Sequence, residues 1–537
     1  MDKERREILY LLACGAVVFG LGGCGGTAES LPDTPLFDVS LNQNTTLLPY
    51  GTETLFLKFS EAIDETTLKE AIVLSDPLGI SLLSYYYVLD KNDPSERTVK
   101  LTLTEGSSFK EAWKYNLVVN NTICSKEGSC LSKEVTLSFV VGSASPFEDS
   151  ESRSKIVIVS DIHMSTQKAS EEGYSIFTQN NALFYHFLEE VRKSDSIKEL
   201  VILGDLLDNW IVPMGVHTLS EEIPDNKAYF QAIAQAEVNQ GIFETLNQIA
   251  DEGKIRLLYV PGNHDMLVNE TIFKSLIPNG IWKGTQEGTG VYFPEEKIAC
   301  EHGHVYDAFN APDRLTTQGS ILPAGYFISR IYATTLMPSH LSFACALVIN
   351  ETQDVFYQTV WNMAVKALGI PESEWDIEQI VTGVDGYSKT YSIAEARDIY
   401  AESIRENWVL RQEDNGVAYP DENLHLIESG LFASQSLEKV AQRQYFKTER
   451  ANMVVFGHTH KAKIKKETSS TGATIYANSG AWCESTLHNI TPLERTCIVL
   501  NTASSTDSQI SMVSLYQYSK EQKMEMIEEE YIEECLL

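Results

Sequence analysis

The sequence predicts two folded units, an all-β sandwich followed by a larger α/β unit. Three observations predict this. From Phe37 to Val141, short alternating or β-branched runs recur at regular intervals between polar turns, the pattern of two packed antiparallel sheets. From Lys155 onward, five short runs apolar on both faces alternate with amphipathic stretches, as expected of strands buried in a covered sheet. Each of these five runs leads directly into a cluster of Asp, Asn or His. At 537 residues and 43% hydrophobic, the chain is long enough for more than one core.

Taken in order, the chain begins with a charged stretch, Asp2 to Glu7, and a mostly apolar one, Ile8 to Leu21. The apolar stretch is short for a bilayer span and has the length of a secretory h-region. Asp2, Glu4 and Glu7 offset Lys3, Arg5 and Arg6, so the n-region is not basic. Leu21-Gly-Gly-Cys24 resembles the bacterial lipobox. That resemblance implies a signal peptide over 1–23 and diacylation of Cys24. An ordinary cleaved signal or an uncleaved anchor is the alternative, and Leu11-Leu-Ala-Cys14 is a rival box with almost no h-region. The implied location is the bacterial cell envelope, lipid-anchored and extracytoplasmic. With Gly25 after the anchor, it would be the outer membrane in a diderm host. A diacyl group holds a protein through its chains alone, so the remainder should be a soluble globule. Residues 24–36 are small, polar and proline-bearing, a tether.

Residues 37–142 form the first unit, with strands expected at Glu53 to Phe59, Ile80 to Val88, Thr98 to Leu103, Trp113 to Val119 and Val135 to Val141. Phe59-Ser-Glu-Ala-Ile-Asp64, Tyr115-Asn-Leu-Val-Val119 and Leu137-Ser-Phe139 resemble the bacterial Ig-like domains of surface proteins. The unit has no His and no clustered carboxylates, so it is expected to be a spacer or contact domain whose partner is unspecified. Cys124 and Cys130 flank a loop tip, Ser-Lys-Glu-Gly-Ser, that an exported chain could close as a disulfide. Cys483 and Cys497 are a second candidate pair, and Cys300 reads as a buried small hydrophobe. No CxxC pair is present, which argues against a cysteine zinc module.

After a linker at 143–154, the second unit spans 155–518. Its strands are expected at Lys155 to Val159, Glu199 to Leu203, Ile255 to Val260, Lys297 to Cys300 and Met453 to Phe456. Asn181 to Lys193 sets Leu183, Phe184, Phe187, Leu188 and Val191 on one helical face. Lys227 to Ala250 reads as a second helix, stopped near Gly253. A mostly helical insertion runs from about 305 to 447, with apolar clusters at Ile321 to Met337 and Leu341 to Ala367. Residues 519–537 are an acidic tail, with Lys520 to Glu534 expected as a frayed helix.

The strand ends carry Asp161-Ile-His163, Gly204-Asp205-Leu-Leu-Asp208, Gly262-Asn263-His264-Asp265, His302-Gly-His304 and Gly457-His458-Thr-His460. Ligands just past strand ends gather on one rim of an α/β sheet. Any one signature recurs by chance; Gly-Asn, for example, also makes turns. Together they supply enough side chains for two adjacent cations sharing a carboxylate, a device for attacking phosphorus esters with a metal-bound hydroxide. Imidazole with carboxylate suits manganese, iron or zinc.

In this order the set resembles the calcineurin-like metallophosphoesterase superfamily, with its pattern DxH, GDxxD, GNH(D/E), a lone His and GHxH. The resemblance covers about Lys155 to Asn501 and implies two packed β-sheets flanked by helices. Carried over motif by motif, Asp161, His163 and His460 would hold one divalent metal, Asn263, His302 and His458 the other, and Asp205 would bridge them. His264 would stand beside the phosphate as a catalytic residue, oriented by Asp208. His304 would line the phosphate pocket or cap a turn. His186, His217, His340, His425 and His488 read as structural or surface residues. Ala477-Asn-Ser-Gly-Ala-Trp482 is similar to the family's Asn-x-Gly-Ser-Trp stretch, a supporting loop.

Asn209 stands where the Ser/Thr protein phosphatases carry Arg, which argues against that branch. Gly204-Asp-Leu-Leu-Asp-Asn-Trp210 is similar to the GDxxDxW form of the branch containing UDP-diacylglucosamine pyrophosphate hydrolases. The expected substrate is therefore a phosphorylated small molecule or a lipid-linked one. A formal charge of −33 argues against a nucleic-acid groove, although bound cations dominate their local field and leave phosphorylated ligands open. A surface binding or scaffold protein retaining the fold without turnover is the alternative. Loss of a ligand from DxH, GNH or GHxH would favour it, and none is lost.

Overall fold

The computed structural model describes residues 37–533 apart from 42–45, 77–78, 81–82, 317–319, 337–370, 377–378, 382–389, 422–435, 471, 485–492 and 507. Cys24 with its lipobox, the tether and the cluster at Leu341 to Ala367 lie outside the described residues.

The first unit contains β1 (Val39–Leu41), β2 (Leu47–Leu48), β3 (Thr54–Phe59), β4 (Ile72–Ser75), β5 (Tyr85–Leu89), β6 (Thr98–Leu103), β7 (Lys114–Val119) and β8 (Val135–Val141). They form two four-stranded sheets, β1-β3-β6-β5 and β2-β8-β7-β4. Alternation decides the faces. Leu55, Leu57 and Phe59 of β3 point inward and share one core with Leu117, Val119 and Phe139 of the facing sheet. The strands that periodicity missed are β1, β2 and β4, each too short to show a period of two. Cys124 and Cys130 are joined as a disulfide in the loop before β8.

The second unit runs β9 (Lys155–Val159), α1 (Gln167–Glu172), α2 (Asn181–Lys193), β10 (Ile197–Leu203), α3 (Asn226–Gln235), α4 (Glu237–Glu252), β11 (Arg256–Val260), α5 (Glu270–Leu276), β12 (Ile281–Trp282), β13 (Val291–Glu295) and β14 (Ile298–Glu301). The insertion contributes α6 (Ala324–Leu336), β15 (Gln379–Val381), β16 (Thr390–Ser392), α7 (Ile393–Asp414) and α8 (Ser436–Ala441). The chain returns as β17 (Met453–Phe456), β18 (Lys463–Ser469), β19 (Gly472–Asn478), β20 (Thr496–Asn501), β21 (Ile510–Tyr518) and β22 (Met524–Glu533).

These strands make a seven-stranded sheet, β12-β11-β10-β9-β20-β21-β22, and a five-stranded one, β13-β14-β17-β19-β18. Ile156, Ile158, Val201, Leu203 and Leu258 of the first meet Met453, Val455 and Ile475 of the second in a core between the sheets. The opposite faces are covered by helices. Val157, Val159 and Ile202 pack on Phe184, Leu188 and Leu246, while Val454 and Phe456 pack on Leu437 and Val440. The result is a four-layer helix/sheet/sheet/helix arrangement, and the runs apolar on both faces are the strands covered on both sides.

Two expectations are corrected. The single helix from Lys227 is two, α3 and α4, because buried Asn239 donates its amide to the carbonyls of Ile233 and Ser165 and so replaces a helical bond. Of the segment Lys520 to Glu534, the described residues are not helical but contain β22, paired antiparallel with β21 from Ile510↔Glu533 to Tyr518↔Met524. A tight turn, in which Ser519 N–H donates to Lys523 O at 2.9 Å, folds the chain back onto β21. Pairing there outweighs the helix preference of Glu and Met. In addition, Cys483 and Cys497 are both free thiols, each buried in a different cluster.

The sandwich is docked on the second unit. Ala112 and Val140 pack against Ile510 and Met512, and buried Lys155 donates to Glu111 at 3.0 Å. Glu529 accepts from Ser143 N–H at 2.9 Å and from Ser514 Oγ at 2.7 Å.

Candidate metal centre

The five signatures meet on one rim, at the carboxyl ends of β9, β10, β11, β14 and β17. Asp161, His163, Asp205 and Asn263 follow strands of the larger sheet, and His302, His458 and His460 follow strands of the smaller one. Asp161, His163, Asp205, His458 and His460 all adopt left-handed backbone, with φ between 53° and 66°. Such strain persists only where the surroundings over-determine it, as at binding sites. The surroundings here are crowded. A Cβ on Gly262 would lie 2.2 Å from Asp205 Oδ1, and one on Gly204 would lie 2.3 Å from the His302 ring, so backbone must approach these side chains at both places.

The side chains converge as follows. His460 Nε2 lies 3.1 Å from Asp161 Oδ1 and 3.4 Å from His163 Nε2. His302 Nε2 lies 3.2 Å from Asn263 Oδ1. Asp205 Oδ2 stands between these two groups, 3.2 Å from His302 Nε2 and 3.7 Å from His163 Nε2. His302 donates Nδ1–H to Leu203 O at 2.8 Å, which makes Nε2 the nitrogen that would face a cation. His458 donates Nε2–H to Asp307 at 3.2 Å, which leaves Nδ1. Asp208 Oδ2 contacts two rings, His163 Nδ1 at 2.8 Å and His264 Nδ1 at 3.0 Å.

Fully buried Asp161, Asp205 and Asp208 make the centre strongly negative. Burial opposes their ionisation, yet the facing imidazoles hold all three below the usual carboxylate range. In return, and against burial, Asp208 and Asp205 raise the pKa of His264, and Asp205 and Asp161 push that of His302 up to about 9. The cluster thus draws protons as positive charge. Hard and borderline cations suit the same donors: atoms of Asp161, Asp205 and His302 lie within 4.8 Å of one another, and those of His163 and Asp205 come equally close, with His264 beside them. Cation binding here would release protons.

One contributor escaped the sequence reading because its role is set by distant partners. Asp265 accepts from Gly262 N–H at 2.6 Å and Leu206 N–H at 2.7 Å, tying two ligand loops together. Burial and then nearby Asp205 push its carboxyl up to about 6. Asn478 donates to Gly457 O at 2.7 Å and so supports the His458 turn. Trp210 lies over His264, with ring centroids 4.7 Å apart, and meets Tyr326 of α6 edge-on at 6.1 Å, so the insertion reaches the rim through this indole. His304 is buried and donates Nε2–H to Gly288 O at 3.0 Å, a structural bond. His186 and His217 are exposed, while His340, His425 and His488 lie outside the described residues.

Among solved structures, the chain is similar to a purple acid phosphatase from yellow lupin (Lupinus luteus) seeds, at 9% identity over 93% of this chain and 74% of that one, TM-score 0.27. A candidate 5'-nucleotidase from Staphylococcus aureus matches at 10% identity over 71% and 54%, TM-score 0.22. The S-layer protein rSbsC matches at 14% identity over 19% of this chain and 13% of its own length, TM-score 0.16. At these TM-scores the overlays are partial, and the functional reading rests elsewhere. No curated protein matches the chain. The family model described as calcineurin-like phosphoesterase matches residues 154–326, a span that takes in the ligand positions from Asp161 to His302 and stops before His458. Over those residues, less than half of the chain, the sequence matches a calcineurin-like phosphoesterase domain, and that match supports a metal-dependent phosphoesterase.

Proposed function

We propose that the protein is a membrane-anchored, extracytoplasmic hydrolase of phosphate mono- or diesters or pyrophosphates that works with two divalent cations, manganese, iron or zinc. One observation carries the two-cation part of this reading: a single carboxylate oxygen, Asp205 Oδ2, stands between imidazoles delivered by two different sheets. Asp161, His163 and His460 would hold one cation, Asn263, His302 and His458 the other, with Asp205 shared. Bound there, two cations supply Lewis acidity toward phosphate oxygens and lower the pKa of water.

His264 is reserved for proton transfer. Its Nδ1 is engaged by Asp208, its backbone N–H is anchored on Asp205 Oδ1 at 2.8 Å, and its side chain is partly exposed. The Asp208 carboxylate on Nδ1 orients the ring and leaves Nε2 to pass a proton to a leaving oxygen. The substrate is a phosphorylated small molecule or a lipid-linked one, and the Ig-like sandwich serves as spacer or contact domain. Anchoring is tested by Cys24→Ser, which should abolish lipid labelling and free the protein from membranes.

The catalytic reading is tested by metal content beside turnover. Asp205→Asn should lower occupancy at both sites. His264→Ala should keep both metals and lose about 10²–10⁴-fold in rate on alkyl esters, less on nitrophenyl esters, whose leaving group needs little protonation. Emptying of a site by His264→Ala, with Asp205→Asn still fully loaded, would reverse the two assignments.

A further inference from the structure

Metal-binding histidines generally give their second ring N–H to a carboxylate, a backbone carbonyl or water. His460 departs from this. Its Nδ1 faces a sulfur, Cys483 Sγ, at 3.4 Å, while its Nε2 points to Asp161 and His163. Cys483 is a buried free thiol. The same residue also touches a second candidate ligand: the N–H groups of Trp482 and Cys483 both donate to Asp161 O at 3.0 Å, at the point where Asp161 takes its left-handed backbone. Trp482 is itself locked in the core, its ring 4.7 Å from that of Phe184. One dipeptide therefore holds two of the three residues assigned to one cation, Asp161 by its backbone carbonyl and His460 by its ring.

We infer that Cys483 is a positioning residue of the metal centre, its sulfur taking the Nδ1–H of His460 and so presenting Nε2 to the cation. The inference rests on the dinuclear reading above. Donor atoms of His163, His460 and Cys483 also lie within 4.8 Å of one another, which raises a direct ligand role for the thiol. The orientation of the ring opposes that role. The sulfur faces Nδ1, whereas Nε2 is the nitrogen turned to Asp161 and His163, on the opposite side of the ring.

The test uses the full chain, stripped of metal and reloaded with cobalt(II), comparing wild type, Cys483→Ser and Cys483→Ala by absorption spectroscopy and metal titration. Loss of a partner of this kind typically costs 10–100-fold in metal affinity. Cys483→Ala should show that loss at one of two sites, with the metal-free melting temperature unchanged. Cys483→Ser, which restores an acceptor, should recover most of it. No sulfur-to-cobalt charge-transfer band should appear in the wild type. A band that vanishes in Cys483→Ser would overturn the positioning role in favour of ligation, and equal affinity at both sites in all three proteins would overturn it altogether. If Cys483→Ala fails to fold, Cys483→Ser still decides, because ligation removes the band and weakens binding while positioning does neither. Failure of the wild type to bind cobalt would instead sink the dinuclear reading, and this role with it.

Discussion

Replacing Asp208 by Asn should injure metal binding as well as catalysis, although its sequence context suggests an effect on His264 alone. The carboxylate has four engagements. Oδ1 accepts the N–H groups of Trp210 and Ile211 at 2.7 and 2.8 Å, and Oδ2 faces the Nδ1 atoms of His163 and His264 at 2.8 and 3.0 Å. An asparagine must choose which end carries its oxygen. Turning NH₂ toward the two backbone donors would forfeit both bonds, each worth about 1 kcal/mol net and more when buried. The oxygen therefore stays on the backbone, and NH₂ faces the rings.

Each ring must then accept at Nδ1, which moves its proton to Nε2. For His163 that is the nitrogen 3.4 Å from His460 Nε2 and 3.7 Å from Asp205 Oδ2, the one a cation needs. The expected result is about a 10–100-fold loss of affinity at one site, the scale seen when a ligand histidine loses its orienting partner. A further loss of rate should persist at saturating metal, from the weakened support of His264. Calorimetric metal titration and turnover at saturating metal separate the two effects. Wild-type metal affinity in Asp208→Asn, with only the rate reduced, would refute this chain of reasoning.

Two further outcomes follow from the docked sandwich. A chain beginning near Glu151 should keep its metals and most turnover on a small ester but melt several degrees lower. Ile510 and Met512 lose their cover, at about 1.5–3 kcal/mol for each side chain re-exposed, and Lys155 loses Glu111; an unchanged melting temperature in differential scanning calorimetry would contradict the interface. Glu529→Gln should stabilise the protein at neutral pH and be silent in acid. Burial raises the Glu529 pKa, so its folded-state advantage is present below the ordinary carboxylate value of about 4.3 and is lost as pH rises through the folded pKa. Gln keeps the acceptor oxygen for Ser143 and Ser514 without the charge, and a melting temperature lower than wild type at pH 8 would count against this.

What was legible in the sequence was what is local. Each ligand cluster follows its own strand within a few residues, so Asp161, Asp205, Asn263, His302 and His458 could be placed on one rim from apolar runs alone. The run Lys155–Val159 and the helix Asn181–Lys193 match the observed elements to the residue. What depends on distant partners was not legible. Asp265 gains its role from Gly262 and Leu206 across two loops, Asp307 from the ring of His458, and Cys483 from that of His460. The acidic end of the chain reads as helix by composition and becomes a strand only because β21 offers it an edge. Asn239 breaks a helix through a carbonyl of Ser165, in another part of the chain.

The division of the candidate ligands between two sheets has a mechanical consequence. Three loops of one sheet and two of the other close on the same few ångströms, and the insertion leaves the smaller sheet after His304 and rejoins it before β17. A cation pair would act as a rivet through the two packed sheets of the second unit: parting the layers would mean stripping coordination bonds, so slippage between the sheets and loss of metal become one event. Amide exchange in β10 and β14 should then slow in step as metal is added, while exchange in β3 and β6 of the sandwich, which carries no ligand, stays as it was. The insertion, rooted on both sides of that rivet, would feel at its base whether the centre is filled.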